Sequence, residues 1–206
     1  MRPVDIRKYK SELRLQSRAA RAELSAQEKE RLDYGVRQNV RRLREYKWVH
    51  TLLIYVSTPI EVDTLQIIKN ALADGKKVAV PRCISGTRNM AFHYINGLED
   101  LSPGAFSVLE PSESAPVVTD FSGTLMLVPA FMYDRNGFRL GYGKGYYDRY
   151  MANYTGISVG LCYEREVRPY LYHGRYDRAV DFILTEKRIR KSLPQQPRWK
   201  TGGKEA

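Results

Sequence analysis

"VHTLLIYV", residues Val49–Val56, carries no Asp, Glu, Lys or Arg and does not alternate apolar with polar. A strand with one wet face shows a period of two; a run apolar throughout belongs to a strand covered on both faces, the habit of parallel sheets. "LMLVPA" (125–130) and "GISVGLCY" (156–163) repeat the pattern, "KVAVPR" (77–82) and "MAFHYI" (90–95) resemble it, and "VDFILTE" (180–186) is expected to be the last strand. Between the first two lies a helix from Asp63–Thr64 to Ala73, stopped at Gly75. Asn96-Gly97 predicts a tight turn, and "EPSESAP" (110–116) a surface loop.

Outward from the first strand toward the N-terminus, residues 4–24 read as a helix in which Ile6, Tyr9 and Leu13 recur at helical spacing among cations. Ser25 and Glu28 form a capping-box pattern for a second helix, expected to run to about Tyr46 with Leu32, Val36, Val40 and Leu43 on one face. Strands alternating with helices predict an α/β domain, a three-layer αβα arrangement with a largely parallel central sheet and an N-terminal helical pair. One domain over residues 1–190 is expected, followed by a basic, flexible tail over 191–206. In such sheets ligands bind at the carboxyl ends of the strands, so the loops after 49–56, 125–130 and 156–163 are candidate walls of a site.

Composition narrows the classes. No run of 18 apolar residues is present, and the charged start "MRPVDIRKYKSELRLQ" lacks the apolar segment of a secretory signal, so a cytoplasmic protein is expected. Cys83 and Cys162 fit buried thiols in a reducing compartment; with His50, His93 and His173 far apart, a zinc cluster is not expected. The net charge of +11 is concentrated at the ends. Residues 1–50 hold 14 Lys/Arg against 7 Asp/Glu and residues 186–206 hold 7 against 2, leaving 13 against 14 in the body. Most of these cations read as solvated helix faces. The distribution suits an anionic ligand held by a basic helix at least as well as a nucleic acid, and no helix-turn-helix or RNA-binding signature accompanies it.

The chemistry gathers in "RLGYGKGYYDRYM" (139–151). It is neither a Walker A loop nor a dinucleotide fingerprint, because Tyr146 stands where the latter needs its third glycine. The physics is shared: Gly141, Gly143 and Gly145 let backbone N–H groups converge, "YYDRYM" opens a helix, and Lys144 and Arg139 add charge. Asp148 could cap that helix or hold a magnesium ion on phosphates. A plain chain reversal is the competing reading.

The segment "PAFMYDRNGFRLGYGKGYYDRYM" (129–151) closely resembles the signature of the 5-formyltetrahydrofolate cyclo-ligase family. "KSELR" (10–14), "YVSTPIEVDT" (55–64), "VAVPRC" (78–83), "GLCYE" (160–164) and "YDRAVDFILTE" (176–186) follow in the family's order, over roughly residues 8–188. The resemblance implies an ATP- and Mg2+-dependent conversion of 5-formyltetrahydrofolate to 5,10-methenyltetrahydrofolate through a phosphorylated formyl (iminium phosphate) intermediate, with ADP and phosphate released. It implies ATP contacts at Lys10, Arg14, Arg139, Gly141, Tyr142, Gly143, Lys144, Gly145, Tyr146 and Tyr147, with Lys144 and Arg139 catalytic. It further implies folate contacts at Val56, Glu61 and Tyr146, and magnesium carboxylates at Asp148 and Asp181. A monomer acting on a folate that can be polyglutamylated, with no nucleic-acid or membrane partner, is expected. The chain departs from the family pattern at "AFMYD" (130–134), Glu164-Arg165, Pro169 and "YLYHGRYD" (170–177). A divergent relative that binds ATP or folate without closing the ring is the alternative, and a basic nucleic-acid-binding protein a remoter one.

Overall fold

The computed structural model describes residues 5–105 and 108–193. The first helix, α1, spans Ile6–Ala22, and the Asp5 carboxylate caps it by accepting from the backbone N–H groups of Arg7 and Lys8. Ser25 caps α2 (Ala26–Arg42) through the Glu28 N–H. The expected continuation to Tyr46 does not hold: Leu43 takes an extended ψ of 124°, and a separate short α3 follows at Arg44–Trp48. The break buries Leu43 and Tyr46 together, a packing gain that outweighs helix continuity.

The first strand, β1 (Thr51–Ile54), is followed by α4 (Leu65–Ala73), β2 (Lys77–Cys83) and β3 (Met90–Ile95). Asp63 supplies the cap of α4 by accepting from Leu65 N–H. Gly97 introduces a single 3-10 turn at Leu98–Asp100 in place of the expected tight turn. A small hairpin, β4 (Leu101–Pro103) with β5 (Leu109–Pro111), occupies part of what was expected to be a surface loop. Glu110 is buried there and accepts from Cys83 N–H and Arg82. Next come β6 (Thr124–Pro129), β7 (Met132–Asp134), β8 (Arg139–Leu140), α5 (Tyr146–Met151) and β9 (Ile157–Leu161). The last strands are β10 (Val167–Arg168), β11 (Phe182–Leu184) and β12 (Ile189–Lys191). The strand near 180–186 is therefore not the last: β12 pairs antiparallel with β11. The expected tail lies outside the described residues from 194 onward.

The main sheet has the order β12-β11-β9-β6-β1-β2-β3, parallel except at its two edge strands. On one face Leu52, Ile54, Val78, Leu125, Leu127, Val159 and Leu184 pack under α2, α3 and α4. On the other, Leu53, Met126, Val128 and Ile183 meet Tyr133 and the aromatic side of α5. Both faces are covered, as the all-apolar runs require. The chain leaves β1 toward β2 and later returns on its other side as β6. Strand order thus reverses between β1 and β6, and their carboxyl ends open a crevice of the kind that holds ligands. A second sheet, β10-β7-β8, stands beside that crevice and carries the glycine loop.

Candidate active site

The glycine loop runs from β8 into α5. Gly143 (φ 92°) and Gly145 (φ 74°) occupy left-handed conformations that a side chain disfavours. Arg14 of α1 donates from Nε to the Gly141 carbonyl at 2.7 Å. A Cβ on Gly143 would lie 3.3 Å from the Arg14 guanidinium carbon. The basic helix is thereby seated on the loop. Burial lowers the Arg14 pKa, against an opposing pull from Asp177. Lys144 is exposed at the loop's tip. With only six residues, α5 offers a small dipole, so anion binding here depends on the cations and the turn.

Arg139 is buried, donating to Asp148 Oδ1 at 2.8 Å and to the Arg178 carbonyl at 2.8 Å. The Arg178 N–H returns to the same Asp148 oxygen at 3.0 Å. One residue earlier, Asp177 accepts from Lys10 Nζ and from Gly174 N–H. Burial pushes the Asp177 carboxyl up, but these two donors outweigh it and hold its pKa below the ordinary 3.8, helped by the charge of Arg139. Asp148 is thus paired with Arg139, and Asp177 with Lys10 of α1.

Asp181 stands elsewhere. Its Oδ2 accepts from the Ser158 N–H at 2.8 Å and the Ser158 hydroxyl at 2.7 Å, tying the amino end of β11 to β9. The described residues contain no group of three or more His, Cys, Asp and Glu side chains that could hold a metal ion. What the site offers is a carboxylate pair in which Asp148 Oδ2 and Asp177 Oδ1 take no part in the hydrogen bonds above. That donor set fits magnesium, which binds one or two carboxylates and completes its shell with water and substrate phosphates. The sequence reading named Asp181 and did not name Asp177. "YDRAVD" holds two aspartates four residues apart, and its only signal was that Asp181 directly precedes a strand while Asp177 lies in irregular chain.

Across the crevice, Glu61 is 6% exposed and closes its own turn, Oε2 accepting from Thr58 N–H at 2.7 Å and Thr58 Oγ1 at 2.9 Å. Reciprocal bonds between Ser57 and Thr64 staple the loop, and Thr64 Oγ1 donates to the Tyr55 carbonyl. The Tyr142 ring packs on Phe131, 4.6 Å between centroids, with its hydroxyl end beside Glu61. Desolvation first, then the Glu61 charge, raises the pKa of Tyr55, Tyr142 and Tyr147; the Tyr55 hydroxyl is already donated to the Val62 carbonyl, and the Tyr142 residue is 38% exposed. The Tyr147 hydroxyl is buried without a hydrogen-bond partner. Tyr146 is half-buried at the head of α5, near Cys83. Val56 is buried in the main core with 4% exposure. The structure thus brings Lys10, Arg14, Arg139 and Asp148 together at the glycine loop, and Glu61, Tyr142 and Tyr147 together at the crevice; Val56 and Asp181 stand in structural surroundings.

Arg21, on α1, was not singled out from the sequence. It forks onto Glu166, Nε to Oε1 at 2.7 Å and Nη2 to Oε2 at 2.8 Å. It also donates to the carbonyls of Ile60, Ala130 and Phe131. Burial lowers its pKa, but the Glu166 carboxylate more than offsets this and leaves it above the ordinary arginine value.

Residues 6–186 match the sequence profile of the 5-formyltetrahydrofolate cyclo-ligase family. The 5-formyltetrahydrofolate cyclo-ligase of Mus musculus is 25% identical over 198 residues, covering 90% of this chain and 98% of the mouse protein. The probable 5-formyltetrahydrofolate cyclo-ligase of Schizosaccharomyces pombe is 27% identical over 172 residues, covering 76% and 84%. The NMR structure of Aquifex aeolicus 5,10-methenyltetrahydrofolate synthetase superimposes with a TM-score of 0.79 at 30% identity, over 94% of this chain and 99% of that one. With a profile match across most of its length and a shared fold, the chain belongs to the 5-formyltetrahydrofolate cyclo-ligase family.

Proposed function

We propose that the protein converts 5-formyltetrahydrofolate and ATP to 5,10-methenyltetrahydrofolate, ADP and phosphate, in the presence of magnesium. The observation that carries this reading is the union of two half-sites. A glycine loop held by Arg14 and rimmed by Lys10, Lys144 and Arg139 stands beside a crevice containing a buried carboxylate and the phenols of Tyr142 and Tyr147. Family membership sets the reaction; the geometry distributes the work.

ATP would supply the phosphoryl group that turns the poorly leaving formyl oxygen into a phosphate leaving group as N10 closes the ring, and magnesium would offset the charge of its phosphates. Phosphoryl transfer asks the protein for placement and charge stabilisation. Lys10, Arg14, the N–H groups of the 141–145 turn and Lys144 bind the nucleotide's phosphates, and Tyr142, Tyr146 and Tyr147 close around them. Arg139 and Lys144 stabilise charge on the transferring group. Asp148 would face the metal. For the second carboxylate we favour Asp177, because Arg178, the residue that follows it, bonds Asp148 through its N–H and Arg139 through its carbonyl, whereas Asp181 is tied to Ser158 at the amino end of β11. Glu61 accepts from the adjacent N–H donors of the pterin, a match of carboxylate to aminopyrimidinone. Val56 acts behind that loop as packing. The reading includes a monomeric cytoplasmic enzyme, with a folate that can carry a polyglutamate tail.

Purified protein mixed with 5-formyltetrahydrofolate, magnesium and ATP should develop methenyl-folate absorbance, and an ATP-free control should not. Absence of product from folded protein that still binds ATP would replace this reading with that of a divergent nucleotide-binding relative.

A further inference from the structure

The half-sites described above leave Arg21 without a task, although it is the most heavily bonded cation near the crevice. Its residue is 4% exposed, as is Glu166. The parallel pairing of β1 with β6 ends at Ile54 and Leu127. Beyond that point the two chains part, and the carbonyls of Ile60, Ala130 and Phe131 have left the β1–β6 ladder. One guanidinium reaches all three, at 3.2, 2.7 and 3.0 Å. Arg21 also follows Arg14 by seven residues, two turns along the same face of α1. The helix is therefore a bar with the phosphate loop fastened at one station and the Glu61 loop at the next.

Stability alone is a poor reason for this arrangement. Desolvating an arginine–glutamate pair costs about what its attraction returns, and an apolar pair of similar volume often does as well. An apolar pair cannot donate to three carbonyls in fixed directions, which the planar fork does. We propose that Arg21, held by Glu166, is a positioning residue that fixes the Glu61 loop against the end of β6 and so sets the folate half-site relative to the nucleotide half-site. The kinetic part of this inference rests on the folate reading above; the structural part does not.

The test uses the double variant Arg21→Met/Glu166→Leu, which leaves no buried charge unpaired, together with Arg21→Lys. Amide hydrogen exchange is followed at Thr58, Glu61 and Phe131, whose N–H groups bond Glu61 Oε2, the Thr58 carbonyl and the Leu140 carbonyl. The amides of Leu53 and Met126 in the paired strands serve as reference. In the double variant the three loop amides should exchange about tenfold faster with the reference amides unchanged. The KM for 5-formyltetrahydrofolate should rise about tenfold while that for ATP moves less than about twofold, and Arg21→Lys should fall between. Unchanged loop exchange, acceleration shared equally by the strand amides, or a KM change equal for both substrates would overturn the proposal. A wild-type protein without ATP-dependent turnover would remove the folate reading, and loop exchange would still decide the clamp.

Discussion

Asp177 and Asp181 lie four residues apart and face different surroundings, and substitution separates them. If Asp177 is the second magnesium carboxylate, as proposed above, Asp177→Asn should raise the magnesium concentration needed for half-maximal turnover by about tenfold. Asp181→Asn should leave that requirement unchanged and instead lower stability by about 1–3 kcal/mol, the cost of impairing two hydrogen bonds to a carboxylate. Magnesium titration of initial rates beside thermal melts checks both, and the reverse pattern would return Asp181 to the metal. Lys10, Arg14, Arg139, Asp148 and Glu61, singled out in the sequence, lie at the glycine loop and the crevice. The sequence could not display which of two neighbouring aspartates faces the loop, because that depends on where β11 begins and what Ser158 offers it. Nor could it show that Arg21 differs from the other α1 arginines, since seven-residue spacing from Arg14 acquires meaning only when the crevice lies alongside.

At the level of elements, the long apolar runs were legible because burial on both faces erases alternation. The strands β7, β8 and β10 were not, since two or three residues carry no period. The β4–β5 hairpin was hidden for a related reason: Glu110 looks like a loop carboxylate until Arg82 and Cys83 pair with it. Two glycines give element-scale predictions. Gly143→Ala forces a side chain into φ 92° against the Arg14 guanidinium and should raise the KM for ATP several-fold by unseating α1 from the loop; steady-state kinetics at saturating folate reads this. Gly160 in β9 lies under the Tyr133 ring, where an added Cβ would approach a ring carbon to 2.3 Å. Tyr133 is fully buried and anchored by its hydroxyl to the Val128 carbonyl. Gly160→Ala should therefore cost about 1–3 kcal/mol by overpacking, visible as a lower urea midpoint; a neutral result would mean the β7 side of the core yields easily.

For the whole molecule, the order of elements was readable and the order of strands was not, because sheet position depends on which crossover goes which way. Its acid response follows from its depressed carboxyls: Asp120, exposed and bonded to Ser122, and the half-buried Glu164 and Asp177. Burial raises the pKa of Glu164, but Arg190 and Thr185 outweigh it, and Asp177 behaves likewise with Lys10 and Gly174. Both groups bind protons more weakly folded than unfolded. Their stabilisation is complete above the ordinary values of 4.5 and 3.8 and disappears as pH falls through the folded values. Buried Asp134, whose pKa is raised, partly opposes this. Melting temperature should hold above about pH 5 and decline below it, with a shallower decline in Asp177→Asn; an identical slope in that variant would remove Asp177 from the account. One further consequence follows from how α1 is fastened. Lys10 waits for a partner 167 residues later, Arg14 for one 127 later and Arg21 for one 145 later. On the ribosome the first helix is thus synthesised long before most of its partners, the Ile60 carbonyl, 39 residues on from Arg21, coming first. Non-local closure of this kind slows folding, and a nascent chain halted before Gly141 carries a basic helix with none of these three partners, a natural client for a chaperone.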